Sequence, residues 1–542
     1  MRGADLLVRS LAVAGVQRLF TLSGNQIMSV FDATLDEGLD LLHVRHEAPA
    51  VHMADAFGRL TGEPGVALVT AGPGFANALS ALYVALMAES PLVLISGASA
   101  TARAGQGAFQ EMPQAEMAGH VTKASWQIDE PDRIGHDVAR ALRTAKSGRP
   151  GPVHVSIPGD VLAGTVKRPP HAMPNADDFL PIVTPLDAQS AESVTAALHA
   201  AKRPVVLAGP AMTRGDGPAA LRRFTDATNV PTVPMGSPRG LKDPSLGRFR
   251  EVLPAADVVL LLGRPVNFAM AFGESPAFNS ECRFLVLDTD MRMLELAGRN
   301  VGDARLPVTA LADPLPAVER LRSPAFLKSR ASTRDETWYR EVQAAIAFRP
   351  PDWATRQSPE RGPLHPAELC RVVRSFLADD DEAVFVSDGG EFGQWAQACI
   401  AAPHRVINGP SGAIGSGISF ALAARVACPE SRVVATVGDG TFGFHPLEIE
   451  TAIRHNLPVV VIVGNDARWN AEYQIQLRDY GPERLVGCEL LPTRYDEVVA
   501  ALGGHGEFVT RPDELEPALR WAFDSGKPAC VNVMIEGVAA PE

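Results

Sequence analysis

The sequence predicts an α/β protein with three doubly wound parallel-sheet domains. Short apolar, β-branched runs alternate with helix-like segments in the first, middle and last thirds of the chain. The 542 residues exceed what one hydrophobic core usually organises, and three domains are the natural division. Several predicted strands end in glycine-rich or acidic turns, at the edge where open α/β sheets bind ligands. The first and last thirds look like one architecture used twice, with different chemistry at their loops.

The first third opens with an amphipathic helix, because Leu6, Leu7 and Leu11 fall at helical spacing. Arg9 interrupts this stretch, so we do not expect a signal peptide. Parallel strands with connecting helices are expected to follow. The predicted strands are residues 18–22, 41–45, 65–71, 91–97 and 153–157, and the predicted helices are residues 27–36, 47–62 and 75–88.

Residues 167–186 are rich in proline and lack periodicity, which is typical of a linker. The middle third then repeats the alternation, with predicted strands at 205–208, 230–233, 258–263 and 283–287 and a helix at 217–228. A charged connection at 321–366 contains one predicted helix, 333–348. In the last third a helix begins at Ala367, a helix-like segment covers 445–455, and strands are predicted at 383–387, 432–437, 457–463 and 529–535.

These elements predict three domains, at residues 1–168, 187–322 and 364–542, joined by linkers at 169–186 and 323–363. The formal charge of −13 and the lack of a basic tract argue against nucleic-acid binding. No apolar run of 18 residues occurs, so no membrane-spanning segment is expected. The six cysteines are scattered without a CxxC pair, which is typical of reduced thiols in a cytoplasmic protein.

The turn Gly438-Asp439-Gly440 follows a predicted strand, and Asn465-Asp466 ends the next one. The glycines allow a close backbone approach. Asp439 and Asp466 offer the hard oxygen ligands that Mg²⁺ takes when it also holds phosphate oxygens. The helix-like segment that follows would present N–H groups to an anion. The sequence therefore predicts a Mg²⁺–diphosphate site, and the alternative is an ordinary strand-to-helix turn.

Three segments of the first third add candidate site residues. Glu47 opens a helix after an apolar strand, where a carboxylate is commonly only a dipole or cap partner. The segment 70–77 is a glycine-rich strand-to-helix turn, which on its own is ordinary turn chemistry. Phe109-Gln110-Glu111 lies in a loop that suits either a pocket wall or a solvated surface. None of the three identifies a function alone.

Together these segments resemble the thiamine-diphosphate-dependent enzymes, in the branch of acetolactate synthase, benzaldehyde lyase and oxalyl-CoA decarboxylase. The resemblance spans essentially the whole chain, and its motifs occur in the family's order. The matching pieces are Arg45-His46-Glu47-Ala48, Gly72-Pro73-Gly74 with Asn77, Ala108-Phe109-Gln110-Glu111, Gly412-Ala413-Ile414-Gly415, and Gly438-Asp439-Gly440 with Asn465-Asp466.

The resemblance implies a pyrimidine-binding domain, a middle Rossmann-like domain and a diphosphate-binding domain. It implies that Asp439, Asp466 and the backbone carbonyl of Arg468 bind Mg²⁺, and that Ile414 bends the cofactor. Glu47 of a partner subunit would contact the pyrimidine nitrogen and activate the cofactor, so the smallest active unit is a homodimer and the expected assembly a homotetramer. The residues implied to bind the cofactor are Glu47, Thr70, Gly72, Asn77, Gly390, Glu391, Gly412, Ile414, Gly438, Asp439, Gly440, Thr441, Asp466 and Trp469.

The predicted catalytic residues are Glu47, Gln110 and Gln26. The segment 469–476 follows the metal loop and is expected to cover the pocket. The residues expected to face the substrate are Asn25, Gln26, Phe109, Gln110, Glu472, Tyr473 and Gln476.

The sequence departs from the family pattern at three places. Asp466 stands where the second Asn is usual, which keeps a metal ligand and adds negative charge. Gln26 stands where benzaldehyde lyase has a histidine, and Ser23 replaces another, so the pocket lacks that proton shuttle. The flavin-contacting pattern of acetolactate synthases is not recognisable around residues 262–268, so FAD is not expected. The segment does not exclude FAD, and it leaves open whether FAD or CoA binds the middle domain.

The leading functional prediction is an enzyme that makes or breaks a carbon–carbon bond beside a carbonyl, in 2-oxo acids or acyloins. A second hypothesis is a 2-hydroxyacyl-CoA lyase or an oxalyl-CoA decarboxylase, which would bind an acyl-CoA. A third hypothesis is a non-catalytic paralogue, which the intact Glu47, Asp439 and Gly440 argue against. The substrate, the reaction direction and the choice between dimer and tetramer stay open.

Overall fold

The computed structural model describes residues 1–237, 239–322, 335 and 337–541. Three parallel sheets flanked by helices make up the architecture of this described part, which confirms the predicted fold class. The chain divides into two compact units. One contains residues 1–145, 151–180 and 350–542, and the other contains residues 146–150 and 181–349.

The first sheet has the strand order β2-β1-β3-β4-β6-β5, with every pairing parallel. Its strands are β1 Arg18–Thr21, β2 Asp40–His43, β3 Gly65–Val69, β4 Leu92–Ala98, β5 Ala124–Gln127 and β6 Pro152–Pro158. Its helices are Gly3–Val13, Met28–Glu37, Glu47–Thr61, Pro73–Met87, Gln114–Gly119, Ile134–Lys146, Gly159–Ala163 and Pro169–Ala172. The predicted strands at 18–22, 41–45, 65–71, 91–97 and 153–157 all correspond to strands of this sheet.

The middle sheet has the order β11-β10-β9-β7-β8 and buried apolar residues on both faces. Its strands are β7 Pro204–Ala208, β8 Thr232–Pro234, β9 Val258–Leu262, β10 Arg283–Asp288 and β11 Val308–Leu311. The helices of this part are Ala188–Ala200, Gly217–Thr228, Phe249–Val252, Met291–Val301, Pro314–Leu321 and Trp338–Ala347.

The last sheet has the order β13-β12-β14-β15-β17-β16, so it repeats the strand order of the first sheet. The shared strand order confirms the prediction that the first and last thirds of the chain have the same architecture. Its strands are β12 Val384–Asp388, β13 His404–Ile407, β14 Val433–Gly438, β15 Val460–Asn465, β16 His505–Val509 and β17 Ala529–Met534. Its helices are Pro351–Thr355, Pro366–Leu377, Glu391–Cys399, Gly417–Ala427, Asp439–Phe442, Glu448–Arg454, Asn470–Tyr480, Tyr495–Ala501 and Pro512–Asp524.

The first and last sheets share one apolar core, which runs through the helices Glu47–Thr61 and Gly417–Ala427. Arg59 spans this contact. Its guanidinium forms two bonds with the buried carboxylate of Asp55, at 2.7 and 2.6 Å, and donates to the carbonyl of Ile407 at 2.6 Å. The ring of Phe420 lies under the same guanidinium, 4.9 Å away. A buried charge is therefore paired and hydrogen-bonded where the two sheets meet.

The structure corrects several sequence predictions. The helix-like segment at 445–455 is a short helix, Glu448–Arg454, preceded by a separate single turn, Asp439–Phe442, that begins inside the glycine-rich motif. The predicted helix at 333–348 is seen as Trp338–Ala347, and its first residues lie outside the described part of the chain. The stretch 167–186, predicted to be a linker without periodicity, contains the short helix Pro169–Ala172 and a turn at Ala176–Phe179.

Along the described ranges, no helix has the length and apolar character that crossing a membrane requires.

Candidate active site

The strand order creates a crevice in each of the two similar sheets. In the first sheet β1 and β3 are neighbours whose connections leave towards opposite edges, and β12 and β14 play the same part in the last sheet. Ligands bind at such switch points, outside the carboxyl ends of the strands. The residues that follow these four strands are therefore the candidates for the site.

The crevice of the last sheet opens into a cavity of about 470 Å³, part of it open solvent, which we name the Asp439 pocket. The turn Gly438–Thr441 follows β14, and Asp466 follows β15. Position 440 requires glycine because the ring of Trp469 lies so close that a Cβ there would be 2.5 Å from it. The pocket is lined by Gly390, Glu391, Phe392, Ile414, Gly438, Asp439, Gly440, Thr441, Gly464, Asp466, Arg468, Trp469, Asn470, Ala471 and Glu472.

Two carboxyl groups in this pocket, those of Asp439 and Asp466, have raised pKa values. Burial raises the pKa of Asp439 to about 6. Burial, together with the negative charge of Asp439, raises the pKa of Asp466 to about 7, although the nearby Arg468 guanidinium acts in the opposite direction. Asp439 is only 2% exposed, and its Oδ2 has no hydrogen-bond partner among the described residues. Such a buried acceptor calls for a cation or a proton.

Asn465 shapes the turn that presents Asp466. Its Nδ2 donates to the carbonyl of Thr493 and to Asn532 Oδ1, at 3.0 and 3.1 Å. Its Oδ1 accepts from the N–H of Ala467 at 3.2 Å, and Ala467 has a left-handed φ of +56°. Because Asn465 is fully buried in these bonds, Asp466 is the member of the pair that lines the pocket.

Asp388, the last residue of β12, holds the loop that carries Ile414. Its Oδ2 accepts from the N–H groups of Gly415 and Gly417, at 2.9 and 2.7 Å, and from the hydroxyl of Ser416 at 3.2 Å. Burial raises the pKa of Asp388 to about 6, although these three bonds favour its charged form. Ile414 is thus fixed at the pocket wall by a carboxylate on the neighbouring strand.

The crevice of the first sheet contains a second group of polar side chains, which we name the Glu47 cluster: Gln26, Glu47, Thr70, Asn77 and Gln110. Glu47 begins its helix after His46, whose Nδ1 accepts from the N–H of Ala48 at 3.2 Å. The Glu47 carboxylate is 8% exposed and accepts from Asn77 Nδ2 at 3.0 Å. In the described part of the chain this bond orients the Glu47 carboxylate through one oxygen, Oε2.

The rest of the Glu47 cluster is built around Gly72, which begins the helix Pro73–Met87 with a left-handed φ of +59°. Gln110 also has a left-handed φ of +59°, and a Cβ at Gly72 would lie 2.8 Å from Gln110 Cβ. Thr70 Oγ1 donates to Gln26 Oε1 at 2.7 Å. Glycine adopts such a φ without strain, whereas Gln110 is strained there, and strained non-glycine positions cluster at functional sites.

The two groups account for most of the predicted site residues. Gly390, Glu391, Ile414, Gly438, Asp439, Gly440, Thr441, Asp466, Arg468, Trp469 and Glu472 line the Asp439 pocket. Glu47, Thr70, Gly72, Asn77, Gln26 and Gln110 meet at the first crevice. Nearby, Asn25 and Phe109 point to solvent, and Phe109 is 73% exposed. Within the described residues of one chain, no member of the Glu47 cluster belongs to the lining of the Asp439 pocket.

Three further predicted residues, all in the last third of the chain, also lie outside that lining. The N–H of Gly412 closes a turn on the carbonyl of Gly409 at 3.2 Å. The ring of Tyr473 lies 4.3 Å from the Arg468 guanidinium. The side-chain amide of Gln476 bonds both backbone groups of Val486, at 3.0 and 2.8 Å. Any contact of Gln476 with substrate would have to replace one of those two bonds.

The donor set fits Mg²⁺ held jointly with a diphosphate. Among the residues that the structure describes, no three His, Cys, Asp or Glu side chains gather closely enough to hold a metal. The Asp439–Asp466 pair therefore needs further oxygens from backbone and ligand. Mg²⁺ bound through one or two carboxylates together with phosphate oxygens has this requirement. Asp439 Oδ2, which has no hydrogen-bond partner among the described residues, is an oxygen that could bind the cation.

Three family descriptions match the chain. The N-terminal TPP binding domain of thiamine pyrophosphate enzymes matches residues 1–117, the central domain 191–311, and the C-terminal TPP binding domain 388–533. The chain belongs to the thiamine pyrophosphate enzymes. Thiamine pyrophosphate is another name for thiamine diphosphate. The comparison therefore confirms the predicted family and the predicted class of thiamine-diphosphate-dependent enzyme.

Curated relatives of this thiamine pyrophosphate enzyme cover its full length. An acetolactate synthase large subunit of Mycobacterium tuberculosis is 34% identical, over 100% of this chain and 97% of the relative. A 2-hydroxyacyl-CoA lyase of Arabidopsis thaliana and an oxalyl-CoA decarboxylase of Escherichia coli are each 28% identical, over 100% of this chain and 96% of the relative. The relatives thus carry out different reactions.

Two residues at this site were not predicted from the sequence. The predicted strand 383–387 stops one residue before Asp388, and Gln114 was not singled out. Both bond to backbone groups far away in the chain, and no local motif marks either position. A buried polar side chain within an otherwise apolar pattern is the only signal that either residue offers.

Proposed function

We propose that this thiamine pyrophosphate enzyme is Mg²⁺-dependent and forms or cleaves a carbon–carbon bond beside a carbonyl, with 2-oxo acids or acyloins as substrates. One observation carries the proposal: two carboxyl groups with raised pKa values, the buried Asp439 and the half-buried Asp466, face a pocket whose wall includes Ile414. Thiamine diphosphate, when bound, supplies a carbon nucleophile that attacks the carbonyl and stores the electron pair. The scattered cysteines support a reducing, cytoplasmic location.

In this proposal Asp439, Asp466 and the backbone carbonyl of Arg468 hold Mg²⁺, and the turn Gly438–Thr441 approaches the diphosphate. Binding a divalent cation would relieve the cost of burying two carboxylates together. Asp439 and Asp466 are anchors in this scheme and do not polarise the substrate.

Glu47 would hold a proton at the pyrimidine nitrogen and so activate the cofactor. The proposed active unit pairs the Glu47 cluster of one chain with the Asp439 pocket of a second copy. The absence of Glu47 cluster residues from the described lining of the Asp439 pocket supports this division between two copies. We accordingly propose a homodimer at minimum, assembled as a homotetramer, with domains at 1–168, 187–322 and 364–542.

The substrate end of the proposed site lacks a histidine at position 26. Gln26 accepts from Thr70 through Oε1, so its amide N–H₂ can donate to a carbonyl or hydroxyl oxygen. An amide orients such an oxygen but cannot relay a proton near neutral pH. This arrangement supports a substrate whose reaction needs little acid–base help beyond the cofactor, such as decarboxylation of a 2-oxo acid.

A 2-hydroxyacyl-CoA lyase or oxalyl-CoA decarboxylase is the second candidate. The full-length likeness to relatives with those names favours it. It would require a site for the CoA phosphates in the unit that contains the middle sheet.

A product screen with purified protein, Mg²⁺ and thiamine diphosphate tests the proposal. Pyruvate, benzoin and a 2-hydroxyacyl-CoA are supplied separately, and the products are identified by mass spectrometry. Acetolactate from pyruvate or benzaldehyde from benzoin supports the leading proposal, whereas formyl-CoA with an aldehyde supports the second. No cofactor-dependent product from any of the three would favour a non-catalytic paralogue.

Mg²⁺ affinity should depend on pH, because the cation competes with a proton at Asp466. The raised pKa means that the folded chain holds this proton between pH 3.8 and about 7. The stabilising contribution of that proton is complete below pH 3.8 and is lost as the pH rises through about 7. With thiamine diphosphate saturating, calorimetry should show Mg²⁺ binding at pH 5.5 weaker than at pH 7.5 by about tenfold or more.

The variant Asp466→Asn is the matched control, since it keeps an oxygen ligand without a titrating proton. Its Mg²⁺ affinity should change less with pH than that of the wild type, with the cofactor's own titration common to both. Equal pH slopes for the two proteins would contradict the assignment of Asp466 as a ligand.

A further inference from the structure

The side chain of Gln114 lies beneath the Glu47 cluster, at the start of the helix Gln114–Gly119, and is 2% exposed. Its Oε1 accepts from the N–H of Gly72 at 2.7 Å. Its Nε2 lies within hydrogen-bonding distance of three acceptors: the carbonyl of Gly97 at 2.8 Å, Ser96 Oγ at 2.9 Å and Ser156 Oγ at 3.1 Å. A single amide therefore joins the strands β4 and β6 to the turn after β3.

Two of these bonds, those to Gly72 and Gly97, end beside members of the Glu47 cluster. Gly72 caps the helix Pro73–Met87, whose N-terminal part contains Gly74 and Asn77. Asn77 holds the Glu47 carboxylate, and a Cβ at Gly74 would lie 3.3 Å from Glu47 Oε1. Gly97 packs against Gln26, since a Cβ there would lie 2.8 Å from Gln26 Cβ.

Gln110 is four residues before Gln114 in the same loop, and it contacts Gly72 directly. The other end of this loop is closed by Glu111, whose carboxylate accepts from the N–H groups of Gly105, Gly107 and Ala108. The loop is thus held before Gln110, where Glu111 binds residues 105–108, and after it, at Gln114. The left-handed backbone of Gln110 lies between these two anchored stretches.

A buried network completes the surroundings of Gln114. His154 Nε2 bonds Ser96 Oγ at 2.8 Å, and His154 Nδ1 bonds Ser125 Oγ at 2.8 Å. Burial lowers the pKa of His154 to about 3, so its ring is neutral and both of its nitrogens are satisfied by hydroxyls. A fully satisfied buried network is rigid, and it fixes the orientation of the amide that it contains.

We propose that Gln114 is a positioning residue, which sets the Gly72 turn, and through it Glu47, Gln26 and Gln110, in the geometry that the reaction requires. The inference rests on the proposed function for its catalytic consequence. Gln114 touches neither substrate nor cofactor in this scheme. Its effect is transmitted through backbone groups that its side chain holds.

The variant Gln114→Met tests the proposal, because methionine has a similar length but can neither accept from Gly72 nor donate to Gly97. The expected result is a fall in kcat of about 10- to 100-fold, on the substrate that gives product in the screen. The Kd for thiamine diphosphate should change by less than about threefold, because the Asp439 pocket keeps its anchors. The matched control, Gln127→Met, changes an exposed glutamine at the end of β5 and should leave both values unaltered.

Hydrogen exchange of the holoenzyme supplies a readout that does not depend on turnover. In Gln114→Met, exchange of the segment 70–78 should rise at least about tenfold, while β4 and β6 stay protected. The variant Gln114→Glu keeps an acceptor for the N–H of Gly72 and should restore part of this protection. If the methionine variant does not fold, the exchange of Gln114→Glu decides whether Gln114 holds the Gly72 turn.

An unchanged kcat in folded Gln114→Met overturns the proposal, and so does a loss of protection spread evenly over the first sheet. If the wild type has no cofactor-dependent turnover, the proposed function fails, and the exchange at 70–78 still decides whether Gln114 holds the turn.

Discussion

Replacing Glu47 by glutamine is expected to lower kcat by about 10²- to 10⁴-fold, the usual range for loss of a general acid–base group. Glutamine matches the shape of the carboxylate and can keep the contact with Asn77, but it cannot exchange a proton with the pyrimidine ring. The substitution leaves the proposed diphosphate anchors in the Asp439 pocket unchanged. Cofactor affinity should therefore change by less than about tenfold, and the loss should appear in kcat rather than in KM.

Steady-state kinetics on the substrate found in the screen, with cofactor binding measured by calorimetry, checks this expectation. Glu63→Gln is a suitable control, because Glu63 is exposed just beyond the end of the helix that Glu47 begins. A Glu47→Gln enzyme with wild-type kcat would remove Glu47 from the mechanism. A large loss of cofactor affinity would instead make it a binding residue.

The buried strands were predictable from the sequence, and several edge strands were not. β3, β4, β14 and β15 are continuous apolar runs, and each was located within a few residues. The four strands that were missed, β5, β11, β13 and β16, all lie at the edges of their sheets. Each faces solvent on part of its surface, as in His505–Val509, and so lacks a continuous apolar run.

Site residues could be predicted where a short sequence motif identifies them. They could not be predicted where their role depends on contacts with distant parts of the chain. The pattern of Gly438-Asp439-Gly440 with Asp466 can be read locally, because glycine and aspartate have distinct roles at a strand end. Asp388 and Gln114 act through hydrogen bonds to residues 17 to 42 positions away in the sequence. Only the folded chain brings those partners together.

Replacing Asp439 by asparagine is expected to have opposite effects on cofactor binding and on the stability of the cofactor-free chain. The variant keeps one oxygen but loses the charge that attracts the cation, so Mg²⁺-dependent binding of thiamine diphosphate should weaken about 100-fold or more. Without the cofactor, however, the wild type buries a carboxylate whose Oδ2 has no partner in the described part of the chain. Asparagine removes that charge.

The sign of the stability effect follows from the raised pKa of Asp439, about 6 against an ordinary 3.8. Protonated Asp439 contributes its full stability below pH 3.8, and the contribution is lost as the pH rises through about 6. At pH 8 the cofactor-free Asp439→Asn variant should therefore be more stable than the wild type, by about 1–3 kcal/mol. The difference should vanish near pH 4.

Thermal unfolding of the cofactor-free proteins at pH 4 and pH 8 measures this difference, with Asp381→Asn as an exposed control. A lower melting temperature for Asp439→Asn at pH 8 would mean that Asp439 stabilises the fold rather than serving the ligand. The expected result, a more stable chain that binds its cofactor poorly, would mean that the last sheet maintains an unfavourable buried charge for the sake of binding. On the proposed function, the two raised pKa values occur side by side because one divalent cation would compensate both carboxylates at once.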